Sequence, residues 1–175
     1  MAPEAFQRAA RVRFMLFDVD GTLTDGTLYI GASGESMKAF SVRDGHGLKL
    51  LQESGVEVGL LSGRTSAIVS ARAEELGIPI VLQGVDDKAA ALRALAAERS
   101  RQTDSFGYMG DDWPDLAVMS LCGFSATVPE APAAVRSRAH YVSVASGGRG
   151  AAREVCELIL RAQGVFEQAL QRHLP

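Results

Sequence analysis

Cysteine is scarce in this chain. Only Cys122 and Cys156 occur among 175 residues, too few for a four-thiolate zinc site or for the disulfide framework of a small secreted scaffold. An excess of positive charge is also missing. Eighteen Lys and Arg stand against 21 Asp and Glu, a formal charge of −3. That argues against a broad nucleic-acid surface and leaves room for a local cationic pocket. Long apolar runs are absent too. The first, at 12–17, is interrupted by Arg13 and closed by Asp18, too short for a signal peptide's apolar region or a membrane span. No nucleic-acid or membrane partner is expected, and a soluble protein of a reducing cytoplasm is. What remains is 47% hydrophobic and 22% charged residues, a globular composition. The length suits one domain over 1–175 rather than two of full size.

The first dozen residues read as a loose leader. Compact apolar runs follow at 12–18, 56–61, 79–82, 106–109, 123–127 and 141–144, each with the character of a buried strand. Helix-forming stretches separate them: 47–53 before Gly55, 65–76 stopping at Gly77, the Ala- and Leu-rich 86–99, then 114–121 and 150–162. This alternation predicts an α/β fold, a doubly wound and mostly parallel sheet flanked by helices. Ligands in such sheets bind beyond the carboxyl ends of the strands. One segment breaks the pattern. Residues 27–30 and 37–42 read as two strands around the turn Gly31-Ala32-Ser33-Gly34. Tyr29, Phe40 and Val42 give this hairpin apolar side chains on both faces, more than a lone hairpin can bury. It is expected to pack against other copies of itself; folding back onto its own domain is the plainer alternative.

Four acids fall where such a sheet opens its site. Asp18 and Asp20 end the first predicted strand, two residues apart, a spacing that points both to one face unless the chain turns. Asp111 and Asp115 follow the strand 106–109, with Gly110 giving a tight exit. Gathered carboxylates repel one another unless a cation neutralises them. Oxygen donors without His or Cys favour a hard ion, and Mg²⁺ fits best. Singly, these acids also suit helix caps and turns, Asp115 above all. Two acids directly after a buried strand are costly without a partner. Ser62, Gly63 and Arg64 follow the strand 56–61 and form either an anion site at a helix start or a simple cap by Ser62 or Thr65. Lys88 lies in the first turn of its helix, where the macrodipole disfavours a cation. Phosphate or Asp18 would offset that; a solvated lysine is the plain alternative. His46, His140 and His173 read as structural or exposed.

The segment Asp18-Val19-Asp20-Gly21-Thr22-Leu23-Thr24 resembles the first signature of the haloacid-dehalogenase (HAD)-like phosphatases. Ser62, Lys88 and Gly110-Asp111-Asp112-Trp113-Pro114-Asp115 follow in the order of the other three. Ser41-Val42-Arg43-Asp44-Gly45, Leu61-Ser62-Gly63-Arg64, Gly147-Gly148-Arg149-Gly150-Ala151 and Arg153-Glu154-Val155-Cys156 extend the likeness over nearly the whole chain. They resemble the capless subgroup that hydrolyses 3-deoxy-D-manno-octulosonate 8-phosphate for lipopolysaccharide synthesis. In one departure, Trp113-Pro114 precedes Asp115, whereas the subgroup has Trp-Pro after its last motif aspartate.

The resemblance implies a Rossmann-like HAD fold with a small hairpin insertion and no cap domain. It implies that Asp18 attacks phosphorus, and that Asp20 protonates the leaving oxygen and then activates water. Mg²⁺ would be held by the Asp20 carbonyl and the carboxylates of Asp18 and Asp111, with Asp115 steadying the metal's waters. Ser62 and Lys88 would bind phosphoryl oxygens. Substrate contacts are implied for Asp20, Ser41, Val42, Arg43, Asp44, Gly45, Lys49, Arg64, Arg72 and Lys88. Guanidinium groups at Arg43, Arg64 and Arg72 suit a sugar carboxylate, although a solvated helix face suits Arg72 equally well. Arg149 either supports a neighbouring site or belongs to an ordinary turn. A homotetramer is implied, with hairpins associating and neighbours walling the sites. The tail 163–175 either reaches a neighbour's pocket or frays. Two rivals share much of this pattern. One is a phosphatase for another 2-keto sugar acid, such as a nine-carbon ulosonate 9-phosphate. The other is a phospho-acceptor module of the receiver type, against which Asp20 argues, since a lasting acyl phosphate is poorly served by a neighbouring base.

Overall fold

Phe14–Phe17 (β1) is an unbroken run of large apolar side chains, all buried, which requires a strand covered on both faces. In this computed structural model, which describes residues 3–174, β1 lies inside a six-stranded sheet. Tyr29–Gly31 (β2) and Gly34–Met37 (β3) form a separate antiparallel hairpin. The remaining strands are Glu57–Leu61 (β4), Ile80–Leu82 (β5), Phe106–Met109 (β6), Phe124–Thr127 (β7) and Tyr141–Val142 (β8). The sheet order is β5-β4-β1-β6-β7-β8, and every pairing in it is parallel. Chain order reverses at β1, with β4 on one side and β6 on the other, so a crevice opens beyond their carboxyl ends.

The helices are Pro3–Ala9 (α1), Val42–Glu53 (α2), Ala67–Leu76 (α3), Lys88–Glu98 (α4), Leu116–Leu121 (α5), Ala133–Arg136 (α6), Ala151–Ala162 (α7) and Phe166–Gln171 (α8). α2 and α1 pack on α7, and α4 packs on α5. Gly47 permits the first of these approaches: a Cβ there would lie 3.0 Å from the Arg153 Cα.

Several expectations need correction. The leader is not loose. It forms α1, whose Ala5 and Ala9 are buried and whose Arg8 donates to the Gly123 carbonyl at 3.0 Å. Two small residues four apart give one narrow stripe, too little periodicity to stand out in a sequence. α2 starts at Val42 rather than at 47, because the Ser41 hydroxyl accepts from the N–H groups of Arg43 and Asp44 at 3.2 and 3.4 Å. Gly45 and Gly47 mask the helix, since glycine is a poor helix former. The second hairpin strand therefore ends at Met37, and Val42 stands 80% exposed in the first turn of α2. The cap of α3 is Ser66 rather than Ser62 or Thr65. The tail is not frayed over 166–171: α8 packs on α7, with the Arg161 guanidinium 3.4 Å from the Phe166 ring centroid.

Asp44 shows how the fold uses a polar core residue. It is 2% exposed, and its carboxylate accepts from the N–H groups of Gly150 and Arg153 at 3.1 and 2.8 Å. An acid on α2 thus closes the open amino end of α7, where a negative charge is favoured. Asp44→Ala leaves those donors unpaired and is expected to lower the unfolding free energy by about 2 kcal/mol. A urea titration measures this, and an unchanged midpoint would contradict the capping role.

Candidate active site

β1 delivers Asp18 to the crevice, its N–H still bonded to the Met109 carbonyl at 2.8 Å. The chain then turns tightly, with the Val19 carbonyl accepting from the N–H groups of Thr22, Leu23 and Thr24 at 3.3, 2.9 and 3.0 Å. Gly21 sits in this turn at φ +96°, and a Cβ there would lie 2.1 Å from Asp111 Oδ2. The position thus requires glycine twice over, for its backbone and for the carboxylate above it.

The loop after β6 is organised by Asp115. Its Oδ2 accepts from the N–H groups of Asp111 and Asp112 at 2.9 and 3.1 Å. Its Oδ1 accepts from Lys88 Nζ and the Tyr108 hydroxyl, both at 2.6 Å. Trp113 and Pro114 form a single 3₁₀ turn with Asp115, and Trp113 points outward, 66% exposed. The displaced Trp-Pro pair therefore leaves the acids in place.

Lys88 is buried in the first turn of α4. Its ammonium donates to Asp18 and Asp115 at 2.6 Å each and to the Tyr108 hydroxyl at 3.1 Å. Burial pushes its pKa down, but Asp18 and Asp115 more than offset this and hold it above the ordinary lysine value. These acids, rather than solvent, are the negative partners its position called for. All three ammonium protons are used, so a phosphoryl oxygen reaches Lys88 only by sharing or displacing one.

Asp18, Asp111 and Asp115 each offer a carboxylate oxygen within 4.8 Å of the others. Burial, then Asp115, push Asp18 up to about 6 despite Lys88. Burial, then Asp18 and Asp115, push Asp111 up to about 7. One ammonium does not balance three carboxylates, and the uncompensated charge fits a hard divalent cation. Asp115 is already bonded through both oxygens, whereas among the described residues the Asp111 carboxylate has only a long 3.5 Å contact from the Thr22 hydroxyl. Asp18 and Asp111 are therefore the side chains free to hold the ion. Asp115 secures Lys88 and the loop backbone.

The Asp20 carboxylate lies outside that trio. It is bonded by the ammonium of Lys38, from the residue following β3, and Arg64 Nε lies 3.7 Å from its other oxygen. The sequence reading missed Lys38. Nothing in a short hairpin with an irregular register tells which face a lysine takes. Ser62, 3% exposed at the end of β4, accepts from the Arg64 N–H at 3.2 Å.

Asp18, Asp20, Ser62, Arg64, Lys88, Asp111 and Asp115 line one cleft of about 510 Å³. The other proposed substrate residues do not enter it. Ser41 caps α2 and borders a separate cavity of about 180 Å³ beside Arg149. Val42, Arg43 and Lys49 are exposed on α2. Asp44 caps α7. Gly45 is buried beneath Arg72, whose Nη2 would lie 2.3 Å from a Cβ there. Arg72 itself pairs with Glu75 at 2.7 Å and lies over the Phe40 ring. The α2 face that buries Asp44, Gly45 and Leu48 turns the remaining residues away from the chain's own cleft. His140 is structural, its Nδ1 accepting from the Ser125 N–H at 2.9 Å.

The raised pKa values fix the direction of a stability test. Asp18 and Asp111 take up protons on folding between their ordinary value of 3.8 and about 6 to 7. Their contribution to stability is full below pH about 4 and is lost as the pH rises toward 7. The metal-free protein is expected to lose melting temperature across that window, and Mg²⁺ is expected to raise it more at pH 8 than at pH 5. Equal Mg²⁺ shifts at the two pH values would contradict the charge assignment.

No family model matches the chain. Among curated proteins, the 3-deoxy-D-manno-octulosonate 8-phosphate phosphatase of Yersinia pestis is 43% identical over 169 residues, 97% of this chain and 90% of that protein. The phosphatase of the same name from Escherichia coli K12 is 39% identical over the same shares. Among solved structures, the Moraxella catarrhalis phosphatase in complex with a magnesium ion, a phosphate ion and a KDO molecule superposes with a TM-score of 0.96, at 40% identity and 99% coverage of each chain. A HAD superfamily hydrolase from Legionella pneumophila superposes at 0.92, with 38% identity, over 98% of this chain and 94% of that one. Likeness of this degree covers nearly the whole chain, and the chain belongs to the 3-deoxy-D-manno-octulosonate 8-phosphate phosphatases of the HAD superfamily.

Proposed function

We propose that this chain is a Mg²⁺-dependent phosphatase that hydrolyses 3-deoxy-D-manno-octulosonate 8-phosphate to the free sugar acid and inorganic phosphate, a step of lipopolysaccharide synthesis. The observation that carries this is the buried Lys88–Asp18 pair, 2.6 Å long, set beside Asp111 with Asp20 two residues away. Lys88 holds the nucleophile's carboxylate in place. Asp18 attacks phosphorus, the ester P–O bond breaks, and an aspartyl phosphate forms. The leaving sugar oxygen takes its proton from the Asp20 carboxyl. Asp20, now a carboxylate, takes a proton from the water that attacks the acyl phosphate; phosphate leaves and Asp18 is regenerated. Ser62 serves as a phosphoryl ligand, and Arg64, half exposed at the cleft, faces the sugar acid. Asp18, Asp111 and the Asp20 carbonyl would hold Mg²⁺, which when bound neutralises negative charge between enzyme and ester.

The assembly belongs to the same proposal. Leu28, Tyr29, Ile30 and Met37 on and beside the hairpin are 42, 40, 63 and 53% exposed, an apolar surface that a homotetramer would cover. Arg43, Lys49 and Arg72, remote from their own cleft, would then contribute to a neighbour's. A cytoplasmic site is proposed for the enzyme; no helix among the described residues is long and apolar enough to cross a membrane.

Mg²⁺-dependent phosphate release across a panel of sugar-acid phosphates tests the activity. The eight-carbon 8-phosphate is expected to exceed the others in kcat/KM by at least about tenfold, the worth of one good polar contact. A preference for the nine-carbon 9-phosphate would instead select the rival substrate. Ile30→Glu is expected to reduce the particle mass seen by light scattering; an unchanged assembly would remove the hairpin from the interface.

A further inference from the structure

Lys38 approaches the proposed acid–base residue from the hairpin side. Its side chain is 1% exposed, and its ammonium bonds Asp20 Oδ1 and lies 2.9 Å from Glu35 Oε1. The other Glu35 oxygen accepts from the hydroxyl of Ser66, the cap of α3. The lysine thus has a base of its own: Glu35 anchors it to α3, and Lys38 spans from there to the turn after β1. Glu35, which also lies 3.8 Å from Arg64 Nη2, offsets part of the positive charge that Lys38 and Arg64 bring to Asp20. Lys38 is not among the residues lining the cleft of Asp18, Ser62 and Lys88. What it touches is the carboxylate rather than the space for the ester.

We infer that Lys38 is a positioning residue for Asp20: bonded to Oδ1, it leaves Oδ2, on the Arg64 side, to exchange the proton with the bridging ester oxygen. The inference rests on Asp20 being the acid and base of the proposed reaction. In the first step the proton passes from Asp20 to the sugar oxygen as the P–O bond breaks, and Lys38 keeps its own protons throughout. The hairpin thereby becomes part of the proton-transfer apparatus, although no hairpin residue contacts phosphorus.

Leaving groups of different basicity separate this role from a structural one. A sugar alkoxide needs protonation as it departs, whereas 4-nitrophenolate does not. Lys38→Met, which keeps the apolar stem, is expected to lower kcat/KM for 3-deoxy-D-manno-octulosonate 8-phosphate by about 10- to 100-fold. With 4-nitrophenyl phosphate, kcat/KM is expected to stay within about threefold, since that reaction forgoes general-acid assistance. Inhibition by inorganic phosphate should not change, and Lys38→Arg should restore part of the loss. Should Lys38→Met fail to fold, Glu35→Gln, which frees the lysine from its anchor, is expected to give the same contrast between esters. Equal losses on both esters, or no loss on the sugar phosphate, would overturn the inference. Asp20→Asn serves as the control. If it discriminates between the esters and the Lys38 or Glu35 variant does not, only the positioning role falls. If Asp20→Asn itself leaves the sugar phosphate reaction intact, the acid–base reading fails with it.

Discussion

Three carboxylates, each with an oxygen within 4.8 Å of the others and facing one buried ammonium, set the terms for the rest of this molecule. Such a cluster is stable only if something rigid holds it together and something positive completes it. The parallel sheet supplies the rigidity: β1 and β6 are adjacent in register, so the acids that follow them must emerge side by side. Tyr108 adds a third contact to the Lys88–Asp115 pair from within β6. The deficit of positive charge that remains is what suits the site to a metal ion rather than to a structural ion pair alone.

The two ends of the active site are built differently. Asp18, Lys88, Asp111 and Asp115 are held by strand ends, a helix start and backbone N–H groups, all parts of the main sheet layer. Asp20 is held by a side chain of the hairpin, which itself rests on the cap of α3. On the proposed roles, phosphorus chemistry and proton handling depend on different elements.

The residues differ in how openly the chain announces them. The strand β6, at 106–109, and the acids beyond it were readable because four apolar residues closed by Gly-Asp have few alternatives in a doubly wound sheet. The helix at 42–53 was not, because Gly45 and Gly47 are chosen for contact with Arg72 and α7, and helix propensity was sacrificed to that packing. Asp44 resembled a substrate ligand by its neighbours in sequence, yet it faces the amino end of a helix more than a hundred residues later. Lys38 and Glu35 escaped for the opposite reason. Both lie on or just after a polar, mostly exposed hairpin strand, where alternation gives no preferred face. Local patterns reveal elements and strand-end acids; pairings between distant segments have no local signal.

Gly21 leaves a last consequence. A Cβ there would meet the Asp111 carboxylate on a backbone that already sits at φ +96°. The exchange of a single hydrogen for a methyl group there would displace the Asp111 carboxylate, though glycine itself contributes no side chain to the site. A survey of this enzyme by chemical function would pass over that position.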